Sequence, residues 1–284
     1  MTFKTSRRGF MGSAGVLAAG LPGGAMAAAA AVDKPGAPGE VKLGVASYSF
    51  REFSRKIAIS GTKALKTPYI NIKEFHLPYR STAEELAKGR KEIEAAGLQI
   101  LGGGTIQLAH DDDDDMRKYF EYAKACGMPL MVIMPTRKAT ARLEKFVKQY
   151  DIKVAIHNHG PEDKNYPAPQ DALKAIKDMD PRIGLCIDVG HTTRTGTDVV
   201  QSIREAGPRL LDMHVKDLRD LNGKDSQCVV GEGAMPIVAI FKELKKMNYQ
   251  GGVMLEYEIE AENPLPGMVK SFAYMRGVLD GLKG

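Results

Sequence analysis

The chain has 284 residues, with 40 basic and 35 acidic side chains and a formal net charge of +5. Three of the basic residues, Lys4, Arg7 and Arg8, lie in the first 27 residues, which contain no acid, so the remainder carries +2. A balance this close to neutrality gives no electrostatic case for nucleic acid or an anionic membrane surface as a partner. About 255 residues after that segment suffice for one large domain with its own core.

The N-terminal segment has the pattern of an export signal. Residues 6–11 (SRRGFM) match the twin-arginine pattern, a weakly apolar stretch follows, and Ala25-Met26-Ala27 has the form of an A-x-A cleavage site. The stretch is too short and too rich in Gly and Ala to span a bilayer, and no later run is apolar enough. We therefore predict a twin-arginine signal peptide over residues 1–27, a linker over 28–40, and export to the periplasm by the twin-arginine machinery, without stable membrane insertion.

Short apolar or β-branched runs alternate with segments of helical spacing along the rest of the chain. The predicted strands cover residues 41–47, 69–76, 98–102, 130–135, 152–157, 183–188, 210–215 and 252–257. The predicted helices cover residues 82–96, 116–126, 138–150, 170–179, 198–206, 236–247 and 266–282. About eight alternations in about 250 residues predict an α/β fold, a single-domain (β/α)₈ TIM barrel over residues 41–284. A doubly wound sheet is the rival, but no G-x-G-x-x-G follows the first strand.

Two local features have ordinary structural interpretations. The aspartate run at residues 111–115 precedes a predicted helix, where carboxylates cap free N–H groups; a calcium loop would need spaced ligands and a glycine turn. Cys126, Cys186 and Cys228 are odd in number and widely spaced, so we expect buried free thiols rather than disulfides.

Ionisable side chains collect where the last four predicted strands end. In a barrel of this kind the active site lies at the C-terminal ends of the strands. Five of the six histidines sit at or just beyond strand ends. Neighbouring strands lie about 4.8 Å apart, so one side chain from each can converge on a single ion. The residues concerned are His157 and His159 on strand five, Asp188 and His191 on strand six, His214 and Lys216 on strand seven, and Glu256 and Glu258 on strand eight.

Alternate residues along a strand face the same way, so His157 and His159 could both reach the mouth, and Glu256 is preferred to Glu258 because it directly ends the apolar run. The predicted metal ligands are His157, Asp188, His214 and Glu256. A mixture of imidazole and carboxylate suits Mn²⁺, Zn²⁺, Co²⁺ or Fe²⁺ better than Ca²⁺. Because the thiolate pattern of structural zinc is missing, we expect an open, catalytic site.

These stretches resemble the xylose-isomerase-like TIM-barrel superfamily, and within it the sugar phosphate isomerase/epimerase family. The similarity covers the whole chain after the signal segment and is carried by residues 44–49, 156–161, 187–192, 213–217, 255–258 and 264–282. The resemblance implies one divalent metal ion, for which we expect Mn²⁺, with Zn²⁺, Co²⁺, Mg²⁺ and Fe²⁺ as alternatives. It also implies strand-end ligands Glu, Asp, His and Glu, of which Asp188, His214 and Glu256 match the last three. His191 matches a position that contacts substrate oxygens.

The sequence departs from this pattern at His157, which stands where the family has its strand-five glutamate. In the ketose epimerases of the family, the two glutamates work as a pair of bases across the substrate. With one of them replaced, a one-sided reaction is favoured, in which a single base removes a proton next to a carbonyl. The resemblance then makes Glu256 the base or its orienter, and leaves His159, His191 and Lys216 as candidates for the general acid.

Three further features have two interpretations each, and a fourth, His110, has one. His76 either lines the pocket or is a core histidine. Lys216 either binds a substrate oxygen or pairs with Asp212 or Asp217. The loop at residues 231–233 (GEG) resembles a family loop over the mouth, but is equally explained as a turn. His110 is assigned to the surface.

The predicted export signal and the lack of a phosphate-binding turn in the sequence limit the class of substrate. Sugar phosphates are cytoplasmic metabolites, and no glycine-rich phosphate-binding turn is present. We therefore predict a metal-dependent isomerase or epimerase, or a related lyase, of carbohydrate metabolism that acts on an unphosphorylated sugar or keto-glycoside. The alternatives are a periplasmic sugar-binding protein on the same scaffold, or a metal hydrolase like the apurinic endonucleases. The charge and the export signal disfavour the hydrolase, and spare acid and base groups disfavour simple binding.

Overall fold

The computed structural model describes residues 40–283, so the predicted signal peptide and almost all of the linker lie outside the described residues. Eight parallel strands close into a barrel in the order β1, β10, β7, β6, β5, β4, β3, β2. Their bounds are β1 (Lys42–Ala46), β2 (Tyr69–Ile72), β3 (Gln99–Leu108), β4 (Leu130–Pro135), β5 (Lys153–His157), β6 (Ile183–Asp188), β7 (Leu210–Val215) and β10 (Gly252–Leu255). A small antiparallel ribbon, β8 (Asp217–Leu218) with β9 (Gln227–Cys228), follows β7. The predicted TIM barrel is confirmed.

Helices surround the barrel and connect its strands. Their bounds are α1 (Arg55–Ala64), α2 (Ala83–Ala95), α3 (Asp113–Cys126), α4 (Arg137–Thr140), α5 (Leu143–Tyr150), α6 (Pro169–Ile176), α7 (Val189–Arg194), α8 (Val199–Ala206), α9 (Ile237–Lys246) and α10 (Leu265–Gly281). Short sequence motifs determine where several of these helices begin or end. Thr82 and Glu85 form a reciprocal capping box at the start of α2, and Gly127 ends α3 with φ of 68°.

The helical spacing located seven helical regions to within a few residues, although the segment at 138–150 divides into α4 and α5. It missed the six-residue helix α7, which follows β6 directly. It also missed α1, whose buried face consists of the small residues Ala58, Gly61 and Thr62 and therefore gives a weak apolar pattern. Gly61 packs directly against the Phe50 ring, where a Cβ atom would lie 2.5 Å from the nearest ring carbon. The absence of a side chain lets α1 approach the barrel.

Two predicted strand ends were wrong, and both errors bear on the site. The second strand ends at Ile72 rather than at residue 76, because the chain turns there and the His76 N–H donates to the Lys73 carbonyl at 3.0 Å. The third strand continues to Leu108 rather than ending at residue 102, with an irregular register against β4 between Gly103 and Ile106. Lys73 therefore follows a strand end, and β3 extends into the wall of the mouth.

A polar layer crosses the inside of the barrel below the mouth. The Asn71 side-chain amide donates to Asp212 Oδ2 at 2.6 Å, and the Cys186 thiol lies 3.8 Å from the same oxygen. Burial raises the pKa of Asp212 to about 7. All three cysteines are buried and free, as expected. Within residues 40–283 no helix is long and apolar enough to cross a membrane.

The aspartate run starts a helix, as predicted. Asp112 caps α3 by accepting from the Asp114 N–H at 3.1 Å. Asp113 accepts from the Arg142 guanidinium at 2.8 Å and pairs with Lys145 on α5. His110 is exposed, in agreement with its assignment to the surface.

Candidate metal centre and active site

Four neighbouring strands carry the predicted metal ligands to one side of the barrel mouth. The order β5, β6, β7, β10 is continuous around the barrel. His157 is paired in register with Cys186, two residues before Asp188, and Asp188 is paired with His214. All three ligands lie within the last two residues of their strands. Glu256 directly follows β10, and its N–H donates to the Val215 carbonyl at 3.0 Å.

The four side chains are buried and meet. Ligand atoms of His157, Asp188, His214 and Glu256 all lie within 4.8 Å of one another. His157 Nε2 lies 3.0 Å from His214 Nδ1, which lies 3.1 Å from Glu256 Oε2. His157 Nε2 is also 3.6 Å from Asp188 Oδ2. Two imidazole nitrogens and two carboxylate oxygens therefore face one point.

This donor set fits a divalent transition-metal ion. Bonds of about 2.1 Å to a common ion place neighbouring donor atoms roughly 3.4 Å apart in a tetrahedron, close to the separations seen here. The two carboxylates balance a double positive charge. Asp188 Oδ2 is buried and, apart from the Lys216 ammonium at 3.1 Å, has no well-oriented hydrogen-bond donor, so it has a lone pair for a metal ion.

Burial holds His157 in the neutral form that binds metal. Burial lowers the pKa of His157 to about 3, with a smaller contribution from the neighbouring His214, so its imidazole is neutral at pH 7. Burial also lowers the pKa of His191 to about 4. A neutral imidazole presents a free nitrogen lone pair, which is what a metal ion requires.

Asp188 is positioned by residues that the sequence interpretation did not single out. Asn158 Oδ1 accepts from the Asp188 N–H at 3.1 Å, while its amide donates to Thr192 Oγ1 at 3.0 Å. Asp188 Oδ1 accepts from the His191 N–H at 2.8 Å and caps α7. Because Asp188 Oδ1 caps α7, Oδ2 is the oxygen that faces the other three predicted ligands. The sequence does contain a signal for the role of Asn158, because this residue lies between two candidate site histidines at the end of strand five.

Lys216 contacts three carboxylates. Its ammonium lies 3.1 Å from Asp188 Oδ2, 3.2 Å from Glu256 Oε2 and 3.0 Å from Glu258 Oε2. The predicted alternative, a pair with Asp212 or Asp217, is wrong. Asp217 instead accepts backbone N–H groups of the loop at residues 231–235, and Asp212 lies in the layer below. Burial opposes ionisation of Lys216, but its carboxylate neighbours raise its pKa well above the ordinary value.

Glu256 lies between two ammonium groups. Lys73 Nζ is 3.1 Å from Oε1, and Lys216 Nζ is 3.2 Å from Oε2. Burial raises the pKa of Glu256, but His214, Lys73 and Lys216 outweigh burial and hold that pKa well below its ordinary range. The carboxylate is therefore ionised at neutral pH. A carboxylate stabilised to this degree is a weak base and a good cation ligand.

A pocket of about 250 Å³ opens beside the ligands. Aromatic side chains form its outer wall, with Phe75 half exposed and packed edge-on against Tyr48 at 5.6 Å between centroids. Such faces suit the C–H surfaces of a sugar ring. The described residues that line the pocket are Tyr48, Lys73, Glu74, Phe75, Tyr79, Gly104, Thr105, Met134, His157, His159, Glu256 and Glu258.

The predicted acid and base candidates occupy different positions. His159 lines the pocket, and its ring centroid lies 4.4 Å from that of His191. Arg194 donates to His191 Nδ1 at 3.1 Å, which places the ring proton of His191 on Nε2. His76 is a core histidine, bonded to Ser47 Oγ at 2.9 Å and to the Phe50 carbonyl at 3.1 Å.

Comparison with known proteins agrees with this architecture. The family model described as a xylose isomerase-like TIM barrel matches residues 69–278. The chain belongs to this family. Putative L-ribulose-5-phosphate 3-epimerase SgbU of Escherichia coli is 30% identical over 216 residues, which are 68% of this chain and 67% of that protein. An inosose dehydratase of Clostridium botulinum is 25% identical over 220 residues, 70% of this chain and 71% of that protein.

Solved structures in this family have the same fold. The crystal structure of the IOLI protein with a zinc atom superposes with a TM-score of 0.70 at 17% identity, covering 85% of this chain and 99% of that one. The relatives matched by sequence include a putative epimerase and an inosose dehydratase, which supports an enzyme in the isomerase, epimerase or lyase area.

Proposed function

We propose that this chain is a metal-dependent enzyme that removes a proton from the carbon next to a carbonyl group of an unphosphorylated sugar or keto-glycoside. Isomerisation or β-elimination follows from the same first step. The observation that carries the proposal is the convergence of four buried nitrogen and oxygen donors at one wall of a pocket that also contains His159. Such a cluster beside a small cavity is typical of a catalytic site.

His157, Asp188, His214 and Glu256 would hold the ion, for which Mn²⁺ remains our choice. A bound divalent ion supplies Lewis-acid polarisation of the substrate carbonyl and lowers the pKa of the adjacent C–H. The zinc in the IOLI structure makes Zn²⁺ the first alternative. The two-nitrogen, two-oxygen donor set is compatible with both ions.

The remaining side chains divide the proton chemistry among themselves. Two ammonium groups stabilise the Glu256 carboxylate, so Glu256 would bind the ion and orient the reacting groups rather than act as the base. The sequence had left both roles open. His159 reaches the pocket and is the proposed base. His191 carries its proton on Nε2, because Arg194 donates to Nδ1, and is suited to donate a hydrogen bond to a substrate oxygen. Lys216 is enclosed by carboxylates and serves as their counter-charge.

The pocket and several of the relatives support the proposed substrate class. Lys73 is the one ammonium or guanidinium group among the described lining residues, so the pocket lacks the cluster of cations that favours a phosphate group. Several relatives are inosose dehydratases, enzymes that remove water from a keto-cyclitol. A one-sided site with a single base suits elimination better than two-base epimerisation.

Solvent deuterium exchange tests the proposal directly. Protein loaded with Mn²⁺ is incubated in D₂O with inososes, 3-keto-glucosides and free ketoses, and proton NMR follows loss of the signal next to the carbonyl and growth of an olefinic signal. Exchange into at least one substrate is expected, and it should vanish in Asp188→Asn together with the bound metal. Metal-loaded protein that exchanges no proton in any compound would instead indicate a sugar-binding protein.

We also propose that the protein is exported by the twin-arginine machinery and works in the periplasm on a small carbohydrate. The pattern in residues 6–11 and the A-x-A site at 25–27 support this. Mass spectrometry of the periplasmic fraction is expected to show a mature chain that begins at Ala28. Replacing both Arg7 and Arg8 with Lys should block this processing; a processed chain in that variant would rule out the pathway.

A further inference from the structure

Lys73 is a buried lysine whose position points into the barrel mouth. It follows β2 immediately, and its N–H donates to Ser47 Oγ at 2.8 Å, which fixes the backbone there. Asn71, two residues earlier, reaches Asp212 across the barrel interior. Because alternate residues of an extended chain share a face, Lys73 projects inward one layer above Asn71. Its side chain is only 6% exposed.

The contacts of the ammonium leave it able to donate to a substrate. Lys73 Nζ lies 3.1 Å from Glu256 Oε1 and 3.2 Å from Thr105 Oγ1. An ammonium group has three N–H donors, so two are used and one remains for the pocket that Lys73 lines. The carboxylate of Glu256 holds the ammonium in place. A buried cation is seldom retained in a core without such a partner.

Lys73 and His159 lie on different walls of this pocket. His159 follows β5, whereas Lys73 follows β2, and β3 and β4 lie between them in the barrel. A sugar between these walls meets the proposed base on one side and an ammonium on the other. Lys216, the other buried lysine of the cluster, is held by three carboxylates and is not among the residues that line the pocket.

We propose that Lys73 is the general acid for the leaving group in an elimination reaction, an assignment that rests on the proposed function. His159 takes the proton from the carbon next to the carbonyl. The electrons of that C–H bond form the carbon–carbon double bond as the β C–O bond breaks. The departing oxygen takes a proton from the Lys73 ammonium and leaves as an alcohol or water. Imidazolium and amine then return to their starting forms by transfer of one proton through solvent.

Two 3-keto-glucosides separate the role of Lys73 from proton removal. A methyl aglycone leaves as a strongly basic alkoxide and needs an acid, whereas a 4-nitrophenyl aglycone leaves without one. In Lys73→Met we expect methanol release to fall about 10²–10³-fold, nitrophenol release to fall less than about threefold, and deuterium exchange next to the carbonyl to persist. Metal content and the circular dichroism spectrum should match the wild type. Lys73→Arg, which keeps the charge if the apolar variant does not fold, should retain more methanol release than Lys73→Met.

The outcomes distinguish failure of this assignment from failure of the proposed function. Equal losses with both aglycones, or loss of exchange in Lys73→Met, would show that Lys73 serves binding or the metal site and would overturn the assignment. Wild-type protein that exchanges the proton but releases neither aglycone overturns it as well, since no elimination then occurs. Absence of exchange in the wild type removes the proposed function itself, and the assignment with it.

Discussion

Glu256→Gln is expected to abolish metal retention and to lower kcat/KM by about 10³-fold or more. The substitution preserves shape but removes the charge that pairs with Lys73 and Lys216. It also removes one of the two carboxylates that balance a divalent ion. Metal analysis after gel filtration and turnover with added Mn²⁺ measure the two losses.

A matched control for this change is Glu258→Gln. Glu258 contacts the Lys216 ammonium at 3.0 Å, but its side chain is 38% exposed and it is not one of the four converging donors. We expect the variant to retain its metal. Retention of metal by Glu256→Gln as well, in a folded protein, would remove Glu256 from the ligand set.

Acid is expected to destabilise the metal-stripped protein strongly between pH 6.5 and 4. His157 and His191 have folded-state pKa values of about 3 and 4, below the ordinary 6.5, so the unfolded chain binds their protons first as the pH falls. Each such group lowers the free energy of unfolding by about 1.4 kcal/mol per pH unit. Asp212, with its pKa raised to about 7, acts in the opposite direction, since the folded state binds its proton first. Together these three groups lower the free energy of unfolding by about 1.4 kcal/mol for each unit by which the pH falls.

Two variants should change the pH dependence of the unfolding free energy in opposite directions. His157→Gln removes a group that destabilises the fold in acid, so its unfolding free energy should depend less steeply on pH. Asp212→Asn mimics the protonated acid at every pH and removes the opposing contribution, so its dependence should be steeper. Urea unfolding in the presence of a chelator from pH 4.5 to 7.5 measures both slopes. Identical slopes for wild type and His157→Gln would show that His157 is not held neutral by burial.

The sequence was sufficient for the barrel and for the arrangement of the predicted ligands. Unbroken apolar runs and intervening helical spacing defined the alternation, and ionisable residues at four consecutive strand ends predicted a convergence that adjacent strands produce. Lys73 and Thr105 were missed because an apolar pattern does not show where β2 turns or how far β3 continues. The partners of Lys216 could not be predicted either, since a flexible side chain chooses among several carboxylates by geometry that only the folded barrel supplies.

The position of Lys216 has a consequence for how the protein handles its ion. Its ammonium bridges Asp188 and Glu256, the two carboxylates among the four converging donors, so these oxygens have a counter-charge that belongs to the protein itself. Entry of the proposed divalent ion would then be an exchange of partners, in which the lysine would lose contacts with these oxygens as the ion gained them. Such competition weakens net retention compared with a closed structural site.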